Sequence, residues 1–181
     1  MSLIQNNLKN LKFVIEKFNS RSQYYGKEIT ESLILQENQQ KYELVLNPNC
    51  EVLFKLKVEK DFCNILNVMH GGATSTLVDI ATTFAISGFD RNLRHSVSIE
   101  LSCYYLNPIN LNSDILIHCK APKIGKNIAY SYCEIYDYDT KKLLVNASHI
   151  KAMLNKTWNE EEMDNKDNKE KLNIWIKLIY K

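Results

Sequence analysis

A histidine followed by two glycines, His70-Gly71-Gly72, opens a run whose apolar residues recur at helical spacing, and no other stretch constrains the chain as much. From Ala73 the apolar positions are Ala73, Leu77, Ile80, Ala81, Phe84, Ala85 and Gly88, three or four apart, which predicts a buried helical stripe. Gly88 reads as its stop, because glycine accepts the left-handed conformation that ends many helices. A second face, Ser75, Asp79, Thr82, Thr83 and Ile86, is small and polar and carries one acid. A helix start leaves N–H groups unpaired and adds a partial positive charge. Glycines there let a negatively charged oxygen approach closely. The plainer reading of Gly71-Gly72 is a tight turn into a buried helix.

The surrounding residues sharpen the choice. His70-Gly71-Gly72, then Thr76-Leu77-Val78-Asp79, then Ser96-Val97-Ser98-Ile99-Glu100-Leu101 and Tyr105-Leu106-Asn107-Pro108, together resemble the hotdog-fold acyl-coenzyme A thioesterases. The likeness is to the acyl-CoA thioesterase 13 kind in particular, related to the phenylacetate-pathway thioesterases. It spans roughly residues 12–153, with an insertion near 36–47 and an added C-terminal tail. The resemblance implies an α+β hotdog fold, an antiparallel sheet wrapped around one long central helix, with extra N-terminal and C-terminal helices. It also implies an acyl-CoA thioesterase whose site is shared between subunits, without a cofactor, since coenzyme A is part of the substrate.

Composition narrows the rest. With 181 residues the chain is long enough for one domain with a real core. A net charge of +2 without a basic stripe argues against a nucleic-acid partner. No apolar run approaches the ~18 residues needed for a membrane span. The five cysteines are widely spaced, with no Cys-x-x-Cys, so neither a zinc site nor a redox pair is indicated. We read a reduced, intracellular, cytoplasmic protein. The basic N-terminal stretch (Lys9, Lys12, Lys17, Arg21, Lys27 against Glu16) offers a mitochondrial or other organelle address as the alternative.

Taken in order, residues 1–27 place Ile4, Leu8, Leu11, Ile15 and Phe18 on one face of an amphipathic helix that packs on the domain. A hotdog domain is expected over 28–154 and a charged, helical extension over 155–181. Residues 28–35 read as a first strand. Val52, Phe54, Leu56 and Val58 alternate with Glu51, Lys55, Lys57 and Glu59, the pattern of a half-buried strand. Four more strands follow the helix, over 96–106, 113–121, 128–137 and 143–153, with Gly125 and Asp139-Thr140-Lys141 marking turns. In the first of them Val97, Ile99, Leu101, Cys103 and Tyr105 share a side. One helix and then a strand meander means an antiparallel sheet packed on that helix. In the tail, Thr157 and Glu160 match a capping box, and Leu172, Trp175, Ile176 and Ile179 share a helical face, although Leu172, Ile174, Ile176, Leu178 and Tyr180 also alternate as a strand would.

The chemistry centres on Asp79. A carboxylate buried among apolar neighbours costs several kcal/mol unless hydrogen-bonded, and Ser75, Thr82 and Thr83 could serve. The functional alternative is a general base or nucleophile. Asp79 lies about 12 Å beyond Gly71 on the same helix, at ~1.5 Å per residue. A carbonyl bound at Gly71 is therefore out of reach of its own chain's Asp79, and a joint site needs a homodimer with antiparallel helices. A homotetramer is a further possibility. By resemblance, Asn64 and His70 hold the thioester, the Gly71 N–H binds the oxyanion and Ser98 orients water. Ser98 lies on the opposite strand face from Val97, so parity alone does not place it there. Gly72, Lys123, Lys126 and Arg91 are candidates for substrate contact; for the three cations a solvated turn is the plainer reading. His118 and His149 sit in strands and read as structural. No Gly-x-Ser-x-Gly elbow, phosphate loop or His-Glu-x-x-His occurs. The rival functions are a non-catalytic acyl-CoA-binding hotdog and a hydratase; no histidine follows Asp79 before His95 to serve the second.

Overall fold

The structure is a computed structural model that describes residues 3–20, 25–35 and 50–158. The insertion near 36–47 and the expected helix of the extension beyond 158 lie outside the described residues. The elements in chain order are α1 (Leu3–Asn19), α2 (Lys27–Leu35), β1 (Glu51–Lys57), α3 (Gly71–Phe89), β2 (Arg94–Tyr105), β3 (Asp114–Ile124), β4 (Ile128–Asp137) and β5 (Leu143–Thr157). All strand pairs are antiparallel, in the order β1-β3-β4-β5-β2. The sheet packs its inner face on α3, which α1 and α2 cover from the other side. Among the described residues no helix is long and apolar enough to cross a membrane.

Alternation builds the inner face. Val52, Phe54 and Leu56 of β1 are buried opposite Cys119, Ile117 and Ile115 of β3, and Ile135 and Cys133 of β4 continue the layer. Leu77, Val78, Ala81, Phe84 and Ala85 of α3 press on it. Phe84 is fully buried and meets Phe18 of α1 edge-to-face at 5.0 Å between ring centroids. Burying one such side chain contributes ~1.5–3 kcal/mol. The last strand runs on to Thr157, and Trp158 beyond it is buried against Phe18.

Three expectations change. Residues 28–35 are not a strand but most of α2: Ile29, Thr30 and Leu33 are the buried positions, at helical spacing, and Lys27 pairs with Glu31 one turn on. Gly88 does not stop α3, which continues to Phe89 with Asp90 as its C-cap. A Cβ at Gly88 would lie 3.2 Å from Cβ of Leu11, so this glycine lets α1 and α3 cross closely. The alternation of β2 is broken by a bulge: Ser98 pairs with Lys151, but Glu100 pairs with Ile150. The extra residue, Ile99, flips the parity. Ser98 therefore shares the helix-facing side with Leu101 and Cys103, while Val97 faces the other way.

Candidate active site

The start of α3 is built by its cap. His70 sits in extended conformation (φ −64°, ψ 138°), and its Nδ1 accepts the Gly72 N–H at 2.9 Å. That acceptor role leaves the ring proton on Nε2. Thr74 N–H goes to the His70 carbonyl. Gly71 N–H is left with no acceptor among the described residues, at the positive end of a nineteen-residue helix. Asn64 lies in the loop before it. Its Oδ1 accepts from the N–H groups of Leu66 (2.9 Å) and Val68 (3.4 Å), which leaves the Nδ2 amino group as the outward donor. A pocket of about 270 Å³ opens beside Gly71, lined by Met69, Thr74, Tyr105, Leu106 and Pro108 among others. Tyr105 Oη donates to the Gly71 carbonyl at 3.2 Å.

Asp79 lies further along, and its side chain is 45% exposed rather than buried as the sequence suggested. The reason is topological: β2 is the sheet edge, and among the described residues no strand lies beyond it to cover the carboxylate. Its Oδ1 collects the protein contacts: Lys151 Nζ at 3.0 Å, Thr83 Oγ1 at 3.4 Å, Ser98 Oγ at 3.5 Å and His149 Nε2 at 3.7 Å. Oδ2 has no partner among the described residues.

A hydrogen-bonded chain backs this group. Thr82 Oγ1 lies 2.7 Å from the Val78 carbonyl and 2.7 Å from His149 Nδ1, with which it shares a hydrogen bond. His149 Nε2 lies 2.9 Å from Ser98 Oγ, so the imidazole links Thr82 to the serine. Ser98 Oγ donates to Asp79 Oδ1 at 3.5 Å, and the serine oxygen keeps a lone pair of its own. Burial, and then the Lys151 charge, push the His149 pKa down to about 4 against the opposing pull of Asp79, so the ring is neutral at neutral pH.

Comparison with known proteins now bears on this arrangement. The sequence model of the thioesterase superfamily matches residues 66–144. Human acyl-coenzyme A thioesterase 13 is 32% identical over 105 residues, 58% of this chain and 74% of the human one. The chain belongs to the thioesterase superfamily. The crystal structure of zebrafish thioesterase superfamily member 2 superposes with a TM-score of 0.67 at 24% identity, covering 81% of this chain and 98% of the zebrafish one. A Streptococcus mutans protein solved bound to acetyl CoA gives 0.55 at 17%, covering 66% and 98%. The architecture is thus the hotdog fold of this superfamily.

In this thioesterase-superfamily chain, the residues singled out from sequence fall into three groups. Asn64, His70, Gly71 and Gly72 gather at the start of α3, with the Gly72 N–H already taken by His70. Asp79 and Ser98 meet in mid-helix. Arg91, Lys123 and Lys126 are exposed around the far end of α3. There Arg94 ties buried Asp90 (2.8 Å) to the carbonyls of Gly125 and Lys126, so Arg94 braces the fold. All five cysteines are free, and among the described residues no cluster of ligands could hold a metal.

The sequence reading missed Lys151 and Tyr105 and left His149 as structural. Parity held the signal for two of them: in β5, His149 and Lys151 alternate in step with buried Val145, Ala147 and Met153, so both face inward. The neutral His149 has a measurable consequence. The unfolded imidazole takes up a proton near pH 6.5, the folded one only near 4. Stability is therefore full above about pH 6.5 and falls as pH drops toward 4, because the unfolded state binds the extra proton. Urea-unfolding midpoints at pH 7 and pH 5 should show this drop, and His149→Gln should shrink it. An undiminished drop in the variant would assign it to other groups.

Proposed function

We propose that this chain hydrolyses acyl-CoA thioesters to free acid and CoA, at a site built by two copies. The observation that carries the reading is the pair of unsatisfied groups on one helix, the Gly71 N–H and Asp79 Oδ2, about 12 Å apart along its axis. One carbonyl cannot touch both in a single chain. Two α3 helices side by side and antiparallel would bring each Gly71 near the other's Asp79. The unpaired edge strand β2 supports such pairing, since it exposes Val97 and Ile99, and the loop beside Asn64 exposes Ile65 almost fully. Tyr104, Tyr130 and Tyr132 on the outer sheet face give such dimers a surface for tetramer formation.

In the proposed reaction the Gly71 N–H and the Asn64 amino group bind the thioester oxygen, and His70 shapes that end as the cap. A water donates one hydrogen to Asp79 Oδ2 and the other to the Ser98 oxygen, which turns its lone pair to the thioester carbon. Attack gives a tetrahedral oxyanion. Its collapse breaks the C–S bond, and CoA leaves as the thiol with the proton that Asp79 took. A Ser98 lone pair not used by the protein gives the water a second anchor, which supports this route over direct attack by Asp79. Arg91, Lys123 and Lys126, at the α3 end that antiparallel pairing brings toward the partner's helix start, are placed to meet the phosphates of CoA. No cofactor is needed, since water and protein groups balance the reaction.

The similarity to acyl-coenzyme A thioesterase 13 and to a fold-mate bound to acetyl CoA supports the substrate class. The test is CoA release across acyl-CoAs from acetyl to palmitoyl. Turnover of at least one is expected. Binding of acyl-CoA without release would favour the non-catalytic binding protein instead.

A further inference from the structure

Lys151 carries an amine that stability alone does not explain. Its side chain is 4% exposed, and burial pushes the ammonium pKa down while Asp79 pushes it up. Burying a charge costs several kcal/mol, and an apolar side chain of this length would fill the inward-facing position without that cost. The return in stability is poor, because Asp79 is half-exposed and water already solvates it.

The geometry gives the amine a use. Nζ donates to Asp79 Oδ1 at 3.0 Å and to Thr83 Oγ1 at 2.7 Å. Thr83 in turn donates to the Asp79 carbonyl at 2.7 Å. Ammonium, hydroxyl and helix backbone thus form a closed set that fixes one carboxylate oxygen and leaves the other free. No further charge lies on α3, and the groups facing Asp79 are Lys151 and His149 from β5 and Ser98 from β2. With His149 neutral, Lys151 is the cation at the carboxylate.

We infer that Lys151 is a positioning residue for the hydrolytic step: it clamps Asp79 Oδ1 so that Oδ2 points at the water beside Ser98. The inference rests on the proposed thioesterase reading, because it assigns Asp79 the role of base. A misplacement of a reacting group by about 1 Å can cost ~10²-fold in rate without touching substrate affinity.

The test is Lys151→Met, which keeps the buried stem and removes the ammonium. With the acyl-CoA that the wild type turns over best, kcat should fall by about 10²-fold while KM and Tm stay near wild type. A crystal structure of the variant should show the Asp79 carboxylate turned from its wild-type position. A kcat within twofold of wild type would overturn the inference, and so would an Asp79 rotamer and position unchanged in the variant. If the wild type hydrolyses no acyl-CoA, the thioesterase reading fails on its own, and the Asp79 rotamer still decides whether Lys151 positions the carboxylate.

Discussion

Asp79→Asn should lower kcat for acyl-CoA hydrolysis by about 10²–10⁴-fold, the range that a positioned general base contributes. The substitution is nearly isosteric. The Asn oxygen can still accept from Lys151, which holds Oδ1 in the wild type at 3.0 Å. The side chain is 45% exposed, so an amide at the second position meets solvent, while buried Lys151 keeps its hydrogen bonds but loses its counter-charge. Acyl-CoA binding should therefore stay near wild type, and the fold should be kept at a lower melting temperature. What disappears is the basic Oδ2. A melting temperature, a binding isotherm and a turnover assay on the same preparation check all three. Turnover within twofold of wild type would make the acid a structural residue and remove the mechanism.

The second large effect concerns assembly. Gly71→Pro should cost about 10²–10³-fold in rate, because it deletes the proposed oxyanion donor. Proline suits this position structurally. Gly71 is the first residue of α3, where the N–H has no helical partner, and His70 before it already has the extended conformation that proline demands. A Cβ at Gly71 meets nothing closer than the Tyr105 ring at 3.7 Å, an ordinary contact.

Each variant alone gives a dimer whose every site lacks one group. In a mixed dimer one site takes both defects, and the other combines intact Gly71 from one chain with intact Asp79 from its partner. Random mixing makes half the dimers mixed, so activity should recover to about a quarter of wild type. Co-refolding followed by native mass measurement and assay decides the matter. Mixed dimers without recovery would place Gly71 and Asp79 in one chain's site, against the ~12 Å that separates them along the helix.

What the sequence by itself determined is whatever repeats over a few residues. The buried stripe of α3, the strict alternation of β1 and the histidine-glycine-glycine start are local patterns, fixed by 3.6 and 2.0 residue periods and by the conformational needs of a cap. The candidate residues Asn64, Gly71, Asp79 and Ser98 were legible through a motif and through the oddness of an acid on an otherwise apolar helix. The misreadings share a cause. Residues 28–35 carry too few apolar positions to separate a strand from a helix, and packing of Ile29 and Leu33 decides for the helix. Gly88 reads as a terminator until Leu11 of another helix is seen against it.

Only the tertiary structure decided the surroundings of Asp79. Its exposure depends on β2 being the sheet edge. The place of Ser98 depends on a bulge that inserts Ile99 and reverses parity, and β2's own alternation does not show which of its residues is left without a partner on β5. Lys151 and His149 lie some seventy residues downstream of Asp79, so their meeting with it rests on the β2–β5 register and on the packing of β5 over α3. Local periods set which face a side chain occupies; strand register and helix packing, which are long-range, set what that face meets.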